Sequence, residues 1–185
     1  ACGKSALQAN TTGSDNTSVG FSALDVNTTA SNNTAVGSAA LGANTTGGSN
    51  SAVGKDALLV NTTGDANTAV GAYALDANTT ASNNTALGYL ALTTNVTGSN
   101  NTGIGKDSLR DGTGDDNTGC GAFTLRANST GSYNVAVGRG ALIKNTTANH
   151  NTGVGYGVLY ENTTGTENIA IGSYALDANT TGSHS

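Results

Sequence analysis

The sequence predicts an all-β chain: a parallel β-solenoid, or β-roll, of about eleven coils of seventeen residues. Three observations predict it. The string Asn-Thr-Ala-Val-Gly, or a close variant, begins at Asn16, Asn33, Asn50, Asn67, Asn84, Asn101, Asn117, Asn134, Asn151 and Asn168. The steps are seventeen residues, with one step of sixteen after Asn101, and self-similarity at a fixed short period marks a stacked repeat. Two copies, Asn134-Val135-Ala136-Val137-Gly138 and Asn168-Ile169-Ala170-Ile171-Gly172, alternate with period two, which is the period of a strand. Finally, the 185 residues include no Pro, the residue that removes a ladder hydrogen bond wherever a strand is paired on both sides.

Each coil is numbered here from its first Asn. Positions 2 to 4 form a strand. Position 5 is Gly in all eleven copies, Gly20, Gly37, Gly54, Gly71 and Gly88 among them, and is expected to make a bend or a positive φ. Ala-Leu at positions 8 and 9 is expected to form a second short strand. Position 9 is Leu throughout and position 4 is Val or a similar residue, so each coil is expected to bury both against its neighbours. The predicted core is Leu24, Val36, Leu41, Val53, Leu58, Val70, Leu75, Leu92, Leu125, Val137, Leu142 and Leu176. Asn-Thr-Thr-Gly at positions 12 to 15 is a turn string. The Asn columns at positions 1 and 12 are expected to stack as amide ladders, as in other cross-β stacks. The sixteen-residue copy, at Arg110-Asp111-Gly112-Thr113-Gly114, loses one residue in the turn; placing the gap just before Thr113 keeps Thr at position 14. A helical repeat is disfavoured, because Gly at a fixed place in every unit weakens a helix. Eleven coils at ~4.8 Å make a rod roughly 50 Å long.

Composition bounds the function. Leu, Ile, Val and Phe total 31 of 185 residues, a level that in an ordinary chain signals disorder. One Leu and one Val-like residue per coil is nevertheless continuous along a rod. Seven Lys and Arg against twelve Asp and Glu, net charge −5, argue against nucleic acid as a partner. No apolar run approaches the ~20 residues of a membrane span. With no Met, and with the repeat running uncapped from Ala1 at position 3 to Ser185 at position 1, residues 1–185 are expected to be a single repeat domain. It is expected to be an excerpt of a longer chain or a subunit that stacks end to end.

The residues that carry chemistry elsewhere do not assemble a site here. Cys2 and Cys120, at position 4 and seven coils apart, are too distant for a disulfide and are expected to be small core residues. His150 and His184 fall in turns without companions. Asp107, Asp111, Asp115 and Asp116 cluster around the short copy; carboxylates separated by Gly can hold Ca²⁺, but the pattern matches no calcium loop and Lys106 and Arg110 stand close, so a solvated acidic loop is favoured. Asn-x-Thr triplets such as Asn10-Thr11-Thr12 and Asn162-Thr163-Thr164 read as glycosylation acceptors, yet an Asn held in a ladder is unavailable. Gly-x-Gly strings lack the following helix of a nucleotide loop. No nucleophile has a base held by a third group. No enzyme activity, cofactor or metal is expected. Positions 6 and 7 vary most, and six of the eight aromatic residues lie there: Phe21, Tyr73, Tyr89, Phe123, Tyr156 and Tyr174. Interleaved with Lys and Arg, they form the candidate contact surface.

Asn134-Val135-Ala136-Val137-Gly138 and Asn168-Ile169-Ala170-Ile171-Gly172 resemble the head repeats of trimeric autotransporter adhesins. The fuller unit, Asn-Thr-Ala-Val-Gly-x-x-Ala-Leu-x-x-Asn-Thr-Thr-Gly, is similar to repeat arrays of phage tail-fibre-like proteins. The resemblance spans the whole chain and implies a left-handed roll, often a homotrimer, at an extracellular location or on a cell or virion surface. The adhesin repeats are shorter than seventeen residues. The expected function is a structural or adhesive module of a fibre or filament whose partner is itself, by trimerisation or head-to-tail stacking, with a host surface protein or glycan as a further partner. One alternative is an ice-binding protein using the Thr columns at positions 2, 13 and 14; the other is a glycan-binding tail-fibre segment.

Overall fold

The computed structural model describes residues 1–185. Ten strands of three residues follow one another: β1 (Thr17–Val19), β2 (Thr34–Val36), β3 (Ser51–Val53), β4 (Thr68–Val70), β5 (Thr85–Leu87), β6 (Thr102–Ile104), β7 (Thr118–Cys120), β8 (Val135–Val137), β9 (Thr152–Val154) and β10 (Ile169–Ile171). They form one parallel sheet in chain order. Each repeat position pairs with the same position in the next coil, as Thr68 with Thr85 and Val70 with Leu87. An isolated parallel bridge from Cys2 to Val19 carries the sheet into the first, partial copy. The chain is thus an all-β parallel solenoid. The nine steps from β1 to β10 are nine full turns, a stack of roughly 43 Å at ~4.8 Å per step.

Strands hold little of the backbone hydrogen bonding. Of 111 backbone–backbone bonds, 18 lie within the strands, so the coils are tied to one another mostly through their turns. The Gly37 N–H donates to the Val19 carbonyl at 2.8 Å, Leu24 to Ala40 at 3.1 Å and Asn32 to Ser14 at 3.0 Å, each from one coil to its neighbour.

The core corrects the expected assignment. In every strand the middle residue is buried and its two neighbours face outward, as in β3, β5 and β9. Ala35, Ala52, Ala69, Ala86 and Ala136 are fully buried. Val36, Val70 and Val137 are half-exposed, and Val53 is 39% exposed. Position 4 is therefore an outward column and not a core column. The alternation has the expected period and the opposite phase. The physical reason is width. A β-carbon at Gly103 would lie 3.3 Å from Leu92 Cδ1, and one at Gly153 would lie 3.3 Å from Leu142 Cδ1, so position 3 meets the leucine column across the interior and has room only for a small side chain. Where position 3 shrinks to Gly, position 8 enlarges from Ala: Gly103 goes with Ser108, Gly119 with Thr124 and Gly153 with Val158. Volume is conserved within the coil, as well-packed interiors require. The buried hydroxyls are satisfied, Ser108 Oγ and Thr124 Oγ1 lying 2.7 Å apart.

The leucines are placed as expected. Leu24, Leu41, Leu58, Leu75, Leu92, Leu125 and Leu142 are at most 1% exposed, each contributing about 1.5–3 kcal/mol. Leu176, in the last coil with none over it, is 40% exposed. The expected second strand does not form. Position 9 has φ between 48° and 55° in all eleven copies, and non-Gly residues at positions 7 and 17 are also left-handed. The left-handed conformation costs about 1–2 kcal/mol per residue; at position 9, leucine burial and a backbone bond to the next coil offset it. Gly at position 5 behaves as expected: φ is 116–142° in every copy, and a β-carbon at Gly71 would lie 2.5 Å from the Gly88 carbonyl oxygen.

Both Asn ladders form. At position 1 each side-chain oxygen accepts the next Asn backbone N–H, as Asn50 donates to Asn33 Oδ1 at 2.9 Å, while each amide donates to the position-15 carbonyl of its own coil, as Asn50 Nδ2 to Gly64 at 2.8 Å. This column runs unbroken through the short coil, where Asn117 N–H donates to Asn101 Oδ1. At position 12 amide donates to amide, Asn61 Nδ2 to Asn44 Oδ1 at 2.9 Å and Asn78 Nδ2 to Asn61 Oδ1 at 2.8 Å. There the ladder stops: Asn78 Oδ1 is buried without a partner. Gly112 occupies the next-but-one slot, and the ladder resumes with Asn145 donating to Asn128. Thr113 Oγ1 donates to the Ser129 carbonyl, the bond that position-13 threonines make elsewhere, as Thr62 to Thr79. The residue missing from the short coil is thus position 14, one place later than expected, at the corner where that Thr is exposed in every other copy.

Candidate interaction surfaces

Two long surfaces follow from this register. The first is the outer face of the sheet. Position 4 presents Val19, Val36, Val53, Val70, Leu87, Ile104, Val137, Val154 and Ile171 in one column, with Leu87 46% and Ile171 74% exposed. Cys2 and Cys120 complete the column as exposed free thiols, which corrects their expected burial. Beside it, position 2 presents Thr or Ser in eight of the ten strands, replaced by Val135 in β8 and Ile169 in β10. The face is thus a two-column array of hydroxyls and aliphatic groups, because a three-residue strand turns both its ends outward.

The second surface is the flank at positions 6, 7, 10 and 11. Of the seven Lys and Arg, all but Arg110 lie over an aromatic ring. Lys4 stands over Phe21, Lys55 over Tyr73 at 4.9 Å, Lys106 and Arg126 over Phe123, and Lys144 over Tyr160. Arg139 lies 5.6 Å from the Phe123 centroid and 5.8 Å from that of Tyr156. Such contacts contribute about 0.5–1 kcal/mol at exposed sites. Tyr73 and Tyr89 meet edge to face at 6.1 Å, Tyr156 and Tyr174 at 5.1 Å. The candidate contact residues therefore lie on one flank, with Phe21, Tyr89, Tyr156 and Tyr174 exposed and Tyr73 and Phe123 half-buried. The Lys55 ammonium is held above its ordinary pKa, first by the Tyr73 hydroxyl and then by Asp56. The Tyr174 phenol is raised mainly by the Tyr156 hydroxyl beside it. At the C-terminal end this flank opens into a cleft of about 410 Å³ bordered by Phe123, Arg139, Tyr156, Tyr160, Tyr174 and Asp177.

The remaining candidates are dispersed. Asp107 is buried with Lys106 and Arg110 near it at 3.9 and 3.8 Å. Asp111 takes a bidentate contact from Arg110 at 2.8 and 3.0 Å. Asp115 accepts the Ser99 N–H at 2.7 Å. The four carboxylates do not converge, and no three His, Cys, Asp or Glu side chains gather as metal ligands. His150 stacks on Tyr133 with centroids 4.9 Å apart, and His184 Nδ1 lies 3.0 Å from Glu167 Oε2. All four occupy position 17, a column the sequence signalled only by having polar and aromatic residues in register. The position-12 asparagines of the triplets are buried in the inner coils, Asn27, Asn44, Asn61 and Asn162 among them, and half-buried at the two ends, Asn10 and Asn179. Position-14 threonines are exposed, whereas position-13 hydroxyls bond the next coil, as Thr45 to the Thr62 carbonyl at 3.0 Å. No helix is long and apolar enough to cross a membrane. No family model matches the chain, and no curated protein and no solved structure is significantly similar to it.

Proposed function

We propose that the chain is a non-enzymatic structural and adhesive module of an extracellular fibre or filament, and that it associates with copies of itself through the outer face of its sheet. The observation that carries this is the position-4 column, nine aliphatic side chains in line from Val19 to Ile171, six of them exposed and three half-exposed. Monomeric proteins rarely expose a contiguous apolar patch larger than a few hundred Å². A stripe in every coil has the same repeat on every copy, so rods that pack side by side match along their whole length, and a closed threefold arrangement covers three stripes at once. The likeness of the repeat to adhesin heads and tail-fibre arrays supports both the trimer and the extracellular or surface setting. Sedimentation equilibrium tests it. The expected result is a mass three times the 18.0 kDa of one chain, returning to one chain in the double variant Val53→Lys, Val70→Lys with its circular dichroism unchanged. A monomer at every concentration sinks the proposal.

One observation favours a second reading. The hydroxyls of Thr17, Thr34, Thr68, Thr85, Thr102, Thr118 and Thr152 stand in register beside the aliphatic column, and a regular array of hydroxyl and methyl groups on one face suits binding to an ice lattice. Thermal hysteresis that disappears in Thr68→Lys, Thr85→Lys would establish this reading over the first; absence of hysteresis removes it.

A further inference from the structure

We propose that the cleft between Phe123 and Tyr174 is a binding site for a neutral hexose saccharide. The inference deepens the adhesive half of the function proposed above by naming a ligand class, and it uses the flank instead of the sheet face.

The cleft is made by two glycines. Position 7 is Gly in two successive coils, Gly140 and Gly157, and in no other. The backbone does not require Gly there. Ser, Ala, Asp, Tyr, Leu and Phe all occupy position 7 elsewhere at φ of 51° to 63°, against 69° and 59° at Gly140 and Gly157. A β-carbon at Gly140 would meet nothing within 4 Å. At Gly157 it would lie 2.9 Å from Tyr174 Cε1, because that ring leans over the vacated place. Gly140 thus leaves empty space and Gly157 makes room for the Tyr174 ring, and the cleft lies along the two coils whose position 7 carries no side chain, roughly 10 Å. Phe123 closes one end and Tyr174 the other. The volume, about 410 Å³, falls within the range of small-ligand sites.

The lining selects the ligand. Tyr156 and Tyr174 meet at 83°, so two ring planes form a corner. Arg139 donates to the Tyr156 hydroxyl at 3.2 Å and already occupies the aromatic faces as their cation, which disfavours a cationic guest. Asp177 and Glu161 border the same space. Glu161 is bound by Lys144 at 2.7 and 2.8 Å, whereas Asp177 makes no ion pair. An anionic guest meets the unpaired Asp177 carboxylate. A guest that fits both halves has one apolar ring face for the tyrosines and hydroxyls at its edge for Asp177 and Arg139, where charge-assisted hydrogen bonds are strongest. A hexose ring has both.

Lactose and maltose are the probes, followed by saturation-transfer NMR and by the tyrosine resonances of the intact chain. The expected result is saturable, millimolar binding that moves the Tyr156, Tyr160 and Tyr174 signals. Gly140→Tyr places in the gap a side chain that the fold already accepts at Tyr73, and it should weaken binding at least tenfold. Tyr174→Ala and Asp177→Asn, both at exposed positions, should weaken it severalfold even where Gly140→Tyr folds poorly. No saturable response to either sugar, or unchanged affinity in these variants, overturns the proposal. A stronger response to 3′-sialyllactose than to lactose overturns the neutral class. Sedimentation of the same samples separates the two readings: a trimer without sugar binding removes only the cleft proposal, and a sugar-binding monomer removes only the self-association.

Discussion

Leu87 and Leu92 stand five residues apart in the coil of β5, and one is 46% exposed, the other 1%. Between the outer face of the sheet and the interior lies a single strand, and the residue adjacent to Leu87 on the inside is Ala86, fully buried. The chain thus buries alanine and exposes leucine one place apart. Hydrophobicity does not decide the side; available width does. Interior position 3 looks straight at the leucine column and takes nothing larger than Ala or Ser, while position 4 has no such limit and carries the larger aliphatic groups outward. An apolar side chain outside this interior contributes to contacts between molecules, and one inside it contributes to the stability of the coil.

Truncating both leucines sharpens the contrast most. In the monomeric Val53→Lys, Val70→Lys background, where the outer face is free, Leu92→Ala should cost about 2–5 kcal/mol, the range for a buried leucine, whereas Leu87→Ala should stay within about 0.5 kcal/mol, as surface changes do. Chemical denaturation of the two variants checks this. The exchange Ala86→Leu with Leu87→Ala keeps composition and the period-two pattern, yet should destabilise by about 1–3 kcal/mol through overpacking. An exchange that melts with the wild type would show that the interior yields, and that width does not set the phase.

These variants also mark where the sequence was legible. The period, the strand, the glycine bend at position 5 and both Asn columns could be read because each rests on a residue type with one strong local preference. The phase could not, because alternation says that neighbours face opposite ways but not which way is in. A signal did exist: the pairing of Gly103, Gly119 and Gly153 with the enlarged Ser108, Thr124 and Val158 is what shared interior volume produces. The turn around Leu at position 9 was missed because left-handed leucine is disfavoured in isolation and only inter-coil packing sustains it. The aromatic flank was legible as variable columns, but its cleft was not, since Gly140 and Gly157 read as two more variants in a column that varies.

A smaller effect separates the two ends of one interior polar column. Asn61 makes two donor bonds and accepts a third, whereas Asn78 makes two and its oxygen accepts none. Asn61→Ala strands the Asn44 oxygen and leaves the Asn78 amide with only its bond to Ala81. Asn78→Ala strands the Asn61 oxygen while removing an oxygen that was already unpaired. An unsatisfied buried group costs about 1–3 kcal/mol, so Asn61→Ala should lose more stability than Asn78→Ala, by about 1 kcal/mol. Equal losses in urea titrations would mean that the break in the ladder carries no cost.

The smallest effect comes from a residue that belongs to neither side. Asp76, at position 10, is half-buried, with Thr93 of the next coil donating to its carboxylate. Burial pushes its pKa above the ordinary 3.8, and the Thr93 hydroxyl with two backbone bonds only partly offsets this. The folded chain therefore holds the proton to a higher pH than the unfolded chain does. Below the ordinary value both states are protonated. As pH rises through that value toward the raised one, the unfolded state releases its proton first, and stability falls. Above the raised value the loss is complete and constant. Asp76→Asn removes the charge and keeps an acceptor for Thr93, so it should melt slightly higher than the wild type at neutral pH and lose the Asp76 part of the decline above pH 3.8. Thermal melts of both proteins across the acidic range read this directly. A variant that melts lower at neutral pH would place Asp76 with the exposed residues, where the charge is solvated and its hydrogen bonds outweigh the burial.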